Sequence, residues 1–232
     1  MLKWLDNFWY HHKWVLIIAL FFVVFIIIGI FQMATRTEYD LKVLYAGPSV
    51  LISEERAEGV KSVLSEFTAE DINGDGKKTV LLNAYSVLSD EQLKKLQDAA
   101  KSEDDAVFYD PTLRTSTINE ISTLLATGEV SICFMDEYVY NMFCDKDGMF
   151  IPLSEMLGSV PDKAHDEFSI RLRDTDFASY FGGMSVLPDD TLVCVRQLAY
   201  MTGAQKSKTA VKEHETAVET FKKMLAFESP IS

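Results

Sequence analysis

From Trp14 to Met33 the chain runs through twenty almost wholly apolar residues, and no charge interrupts it between Lys13 and Arg36. At about 1.5 Å of rise per residue, such a helix spans roughly 30 Å, the depth of a bilayer's hydrocarbon core. With no polar face to turn toward water, the pattern predicts a transmembrane helix over 14–35. A cleaved signal peptide fits less well. Its apolar stretch is shorter, about 7–15 residues, and ends at small residues, where this chain has Gln32. The organisation that follows is a cytoplasmic tail over 1–13, the helix over 14–35, a juxtamembrane linker over 36–40, and an extracytoplasmic domain over 41–232. Basic residues are balanced across the helix, so orientation rests on the short tail staying inside while the long acidic domain is translocated. Trp4, Phe8, Trp9, Tyr10 and Trp14 suit the inner interface as an aromatic belt. His11-His12 reads as an interfacial pair, because no third metal ligand stands nearby.

Beyond the helix the hydrophobic period alternates between strand and helix. Leu41 to Ala46 is a short apolar strand closed by Gly47-Pro48. Ser53 is placed to cap a helix whose Val60, Val63, Leu64 and Phe67 share a face. Thr79–Val87 predicts a second strand, and Ser89 with Gln92 a capping box opening a helix over 90–101. Ala106–Tyr109 predicts a third strand. Thr117 and Glu120 box a helix carrying Ile118, Ile121, Leu124 and Leu125 and ending at Gly128. Val130–Met135 is a buried strand that runs straight into Asp136–Phe143. Phe168–Arg173 alternates, Thr191–Arg196 is a further strand, and Thr209–Phe227 a helix with Val211, Val218, Phe221 and Leu225 on one side. The expected fold is α/β, a mostly parallel sheet flanked by helices on both faces.

Charge and cysteine content narrow the function classes. The chain carries a formal charge of −13; with Lys3, Lys13 and Asp6 set aside, 20 basic and 34 acidic residues leave −14. Such a field repels nucleic acid and anionic lipid. Cys133, Cys144 and Cys194 are too few and too odd in number for a disulfide scaffold. Cys133 and Cys194, in apolar runs, read as small core residues, while Cys144 sits near a loop.

Three groups of polar residues are candidates for chemistry. Asp71, Asn73 and Asp75, with Gly76, match positions 1, 3, 5 and 6 of a calcium loop, but position 12 is Leu82, so no carboxylate closes it. The loop reads first as an Asx-rich turn and second as a weak calcium site; no other cofactor is expected. Asp136, Glu137, Tyr138 and Tyr140 follow an apolar strand, where α/β folds place ligand groups. Neighbours on a helix diverge by about 100°, so Asp136 and Glu137 do not converge on one atom, and Asp136 reads also as a helix cap. Asp174, Asp176, Asp189 and Asp190 read as solvated loop acids. No nucleophile elbow, phosphate loop, HExxH or paired CxxC occurs, His165 and His214 are isolated, and Gly182-Gly183 is a turn pair. The sequence carries no catalytic signature.

The stretch Ile121–Tyr140, with its Ala-Thr-Gly-Glu turn and a strand ending in Asp136-Glu137, resembles the first lobe of type 2 extracytoplasmic solute-binding proteins of bacterial ABC importers. Gly148-Met-Phe-Ile-Pro-Leu153 and Ser179–Pro188 extend the likeness, and Thr191–Arg196 would be the crossover strand. The resemblance covers roughly Asp40 to Arg196. It implies a periplasmic-binding-protein-like lobe with the polar residues after the strand at Val130 facing a cleft. Only about 36 residues follow Arg196, enough for a loop and one helix. On this resemblance the second lobe is expected to be missing or vestigial, and with it half of the cleft. The expectation is a membrane-anchored binding or accessory domain with a shelf at Asp136, Glu137, Tyr138 and Tyr140. Its partner would be a membrane or envelope protein, such as an ABC transporter component. The alternative is a solute receptor whose second half-cleft comes from a partner chain.

Overall fold

The computed structural model describes residues 2–34, 39–48, 53–99, 110–144, 148–198 and 203–230. The chain divides into two units, Met1–Glu38 and Tyr39–Ser232.

The first unit is one helix, α1 (Leu2–Ala34). Its helical course begins well before the apolar run, so residues 2–13 continue the helix instead of forming a separate coil. The window His12–Gly29 is long and apolar enough to cross a membrane. Side chains from Ile17 to Ile28 are all exposed, Phe21 and Phe25 by about two thirds. By length and composition this apolar segment is a candidate membrane span.

In the second unit a five-stranded sheet has the order β2-β1-β3-β5-β4, with β1 Leu41–Gly47, β2 Val80–Ser86, β3 Ile132–Met135, β4 Ile170–Arg171 and β5 Leu192–Val195. β1 pairs in parallel with β2 and β3, but β5 is antiparallel to both β3 and β4. The sheet is thus mixed, not mostly parallel. The physical reason lies in the connection: the chain leaves β3 at Asp136, folds over the sheet and re-enters at Thr191 beside the same strand end, so β5 must run back. Periodicity fixes which residues face a core, and it carries no information on strand direction. The strand expected at Ala106–Tyr109 lies outside the described residues.

Side chains alternate between two cores. Leu41, Val43 and Tyr45, with Ile132, Phe134, Val193 and Val195, face α2 (Glu54–Phe67), α6 (Leu153–Leu157), α7 (Asp176–Tyr180) and α8 (Lys208–Leu225). Leu44, Ala46, Cys133, Met135, Leu192 and Cys194 face α4 (Pro111–Thr127) and α5 (Glu137–Asn141). Burying each large side chain contributes about 1.5–3 kcal/mol, which makes this two-sided core the main source of stability. Cys133 and Cys194 are directly opposed and wholly buried, as small core residues.

Helix starts follow their caps. The Ser53 hydroxyl accepts from Arg56 N, and Ser89 and Gln92 exchange bonds of 2.8 and 3.1 Å at the head of α3 (Asp90–Ala99). α4 begins earlier than the Thr117 box implied. Asp110 caps it, accepting from Thr112 N at 2.8 Å, and Pro111 takes the first turn, where its missing N–H costs nothing. Thr117 sits mid-helix with its hydroxyl turned back to Leu113 O. Gly128 ends the helix in the left-handed region, φ 85°, and its bare Cα lets the buried Arg196 guanidinium lie against it.

Asp40 belongs to the fold and not to the linker. It is 1% exposed, and its carboxylate accepts from Ile72 N at 2.6 Å and Thr79 N at 2.7 Å, pinning the 71–79 loop to the start of β1.

Candidate functional site

On the face toward α2 and α8, Tyr45, Phe134 and Val193 lie side by side across β1, β3 and β5. One pleat further, at the carboxyl ends of β1–β3, the same face carries Ser86, Gly47, Asp136 and Thr191. Ser86 pairs with Gly47, while Asp136 follows Met135 by one residue and Thr191 precedes its partner Leu192 by one. The period of two puts this row on the side of Tyr45 and Phe134. An apolar row thus gives way in one step to small and polar side chains, at the strand ends where α/β sheets hold ligands.

Asp136 is the centre of the row. It is 3% exposed and caps α5, accepting from Tyr138 N at 2.9 Å. Its other oxygen accepts from Gln92 Nε2 at 2.9 Å. The Gln92 carbonyl is already engaged with Ser89 N, so the box that starts α3 also aims an amide at the site. Burial raises the Asp136 carboxyl above the ordinary carboxylate range, with the charges of Asp190 and Glu137 adding to it and the two hydrogen bonds offsetting part. Tyr45 donates to Pro48 O at 2.7 Å, and burial, then Asp136 and Asp190, push its phenol far above its usual value. Glycine at position 47 keeps the row uncrowded: a Cβ there would stand 3.0 Å from Asp136 Cβ and 3.1 Å from the Tyr45 hydroxyl, closer than ordinary contact. The Thr191 hydroxyl is buried with no hydrogen-bond partner, in a residue 1% exposed.

The structure divides the four residues expected to form the shelf. Glu137 and Tyr138 are partly exposed, Glu137 standing 3.9 Å from Arg171. Asp136 is buried but at the strand end. Tyr140 is a core residue: fully buried, stacked on Phe150 at 5.7 Å between ring centres, its hydroxyl donating to Asp166 at 2.7 Å. Its α5 position turns it inward, and partly buried Asp166 supplies the acceptor that a buried phenol requires. Tyr45, Gln92, Thr191 and Asp190 belong to the site and were not marked by their sequence context. Only the break from apolar strand to Gly47-Pro48 pointed there.

In the loop at 71–76 the carboxylate of Asp71 accepts from Gly74 N and Gly76 N, Asn73 Oδ1 from Asp75 N, and Asp75 Oδ1 from Lys77 N. Gly74 and Gly76 have positive φ, 73° and 83°. The side chains thus act as Asx-turn acceptors. Among the described residues no three His, Cys, Asp or Glu side chains gather as a metal cluster. A cavity of about 350 Å³ beside α8, lined by Glu70, Lys212, His214 and Glu215, is separate from the strand-end row.

No family model, characterised protein or solved structure matches this chain.

Proposed function

We propose that this chain is a single-pass, membrane-anchored binding or accessory domain. Its N-terminus lies in the cytoplasm and its α/β domain outside, beside a transporter or another envelope protein. The observation that carries the reading is the pairing of one helix whose stretch from Trp14 to Ala34 is uncharged and almost wholly apolar with a strand-end polar row on a separate α/β unit. The likeness to one lobe of a type 2 solute-binding protein is part of the same proposal. It is supported by a strand–cap–helix passage at Ile132–Asn141 and by β5 lying directly beside β3. A single sheet offers one wall of a cleft, which leaves a small polar solute in competition with water, whereas a partner protein can cover the wall. Tyr138 and Glu137, partly exposed and amphipathic, suit that contact.

The test is photo-cross-linking from position 138 of the full chain in its native membrane. Capture of one membrane or envelope protein, with no melting shift from sugars, amino acids or short peptides below roughly 100 μM, is the expected result. A submicromolar small-molecule ligand lost in Asp136→Ala would instead make the protein a solute receptor, its second half-cleft coming from a partner chain.

A further inference from the structure

The strand-end row is unusual in what it lacks. Among the described residues buried Asp136 has two hydrogen-bond donors and no cation partner; the charges that act on it, Asp190 and Glu137, are both acidic. Among the described residues each of its oxygens accepts one bond, from Tyr138 N and from Gln92 Nε2, and a carboxylate oxygen has capacity for a second. Tyr45 donates its only proton to Pro48 O, so toward the site its oxygen can only accept. Thr191 precedes Val193 by two residues, just before β5, and the alternation of the strand turns its side chain to the face of Phe134 and Asp136. There its hydroxyl is fully buried and has no hydrogen-bond partner, an arrangement that costs free energy unless a polar group reaches it. Gly47 places no side chain between Asp136 and Tyr45.

Acceptors and negative charge therefore lie along one row of neighbouring strand ends, and among the described residues only Tyr138 N and Gln92 Nε2 donate to Asp136 and none donates to Thr191. We infer that the Asp136–Thr191 row is a binding site for a protonated aliphatic amine, whose ammonium is held by the Asp136 carboxylate and the Thr191 and Tyr45 hydroxyl oxygens. Three N–H donors on a compact charge match three acceptors. The acidic domain draws such a group in from a distance. The amine belongs either to a small solute or to a lysine of the partner, and the inference rests on the binding role proposed above.

The probe is n-butylammonium, with n-butanol and butyrate as controls of equal length, followed by ligand-observed NMR on the full chain in non-ionic detergent. n-Butanol also corrects for partition into the micelle. Butylammonium is expected to bind at least tenfold tighter than either control. Asp136→Asn, which keeps the helix cap, should remove that preference, and Thr191→Val should weaken binding at least threefold. Because the valine deletes an unpartnered hydroxyl without changing shape, its unliganded melting temperature should hold or rise. A purely structural threonine would give the reverse, a lower melting temperature with unchanged binding, and would overturn the assignment. Equal binding of butylammonium and n-butanol, or of potassium and butylammonium, would overturn it too. If butylammonium fails to bind while position 138 still captures an envelope protein, the amine site falls and the accessory role stands. Butylammonium that displaces the cross-linked partner assigns the amine to a partner lysine; binding without displacement assigns it to a solute, and both support the site.

Discussion

Replacing Asp40 by alanine removes one carboxylate that ties three parts of the domain together. It accepts from Ile72 N at 2.6 Å and Thr79 N at 2.7 Å, with longer contacts from Thr79 Oγ1 at 3.1 Å and Asn73 N at 3.4 Å. Hydrogen bonds to a charged acceptor are each worth about 1.5–3 kcal/mol net, and a buried donor left unpaired costs about 1–3 kcal/mol. The two short bonds dominate, and water reaches the partly exposed Ile72 and Thr79 ends, so the loss sums to about 3–5 kcal/mol. For a domain of this size a kcal/mol moves the melting temperature by about 2–4 °C, which gives a fall of about 6–20 °C. Asp40→Asn keeps one acceptor and turns an NH₂ toward the other donor, so about half of that fall is expected. Differential scanning calorimetry of the full chain in mild detergent measures it. Tryptophan fluorescence would not serve, since Trp4, Trp9 and Trp14 all lie on α1. Hydrogen exchange should rise first over 72–79. A melting temperature within about 2 °C of wild type in Asp40→Ala would refute the argument that this carboxylate anchors the loop and β2 to β1.

Further outcomes follow from other contacts. Gly183→Ala would set a Cβ 2.7 Å from Gly59 O and 2.9 Å from Val63, against backbone that cannot yield, so a loss of about 1–3 kcal/mol is expected in chemical denaturation; an unchanged midpoint would contradict it. Burial alone would raise the Asp166 carboxyl, but bonds from Tyr140, Phe168 and Ser169 outweigh it and hold it below the ordinary range. Its stabilising share is therefore present above the unfolded value and is lost as pH falls through the folded one, so Asp166→Asn should flatten the acid limb of the melting curve. Calorimetric titration should find calcium binding no tighter than the order of millimolar at Asp71, Asn73 and Asp75, and micromolar binding abolished by Asp75→Ala would reverse that. The intact chain should stay with membranes through carbonate washing, and a mature soluble form beginning near Thr35 would sink the anchor.

The apolar helix, the two-faced strands and most helix starts were legible in the sequence because each rests on local periodicity or on a cap within four residues. Ser53, Ser89 with Gln92, and Gly128 all act where their spacing placed them. What the sequence left open depended on residues far apart in the chain. The antiparallel course of β5 was decided by the path between Asp136 and Thr191, and the inward turn of Tyr140 by the acceptor at Asp166, 26 positions away. Asp40 read as linker because its donors lie at Ile72 and Thr79, more than thirty residues on. The strand-end row is the sharpest case. Ser86, Gly47, Asp136 and Thr191 come from four separate strand ends, and only strand register sets them on one face. Local sequence fixes what a residue can offer; the pairing of distant backbone hydrogen bonds decides what it is offered to.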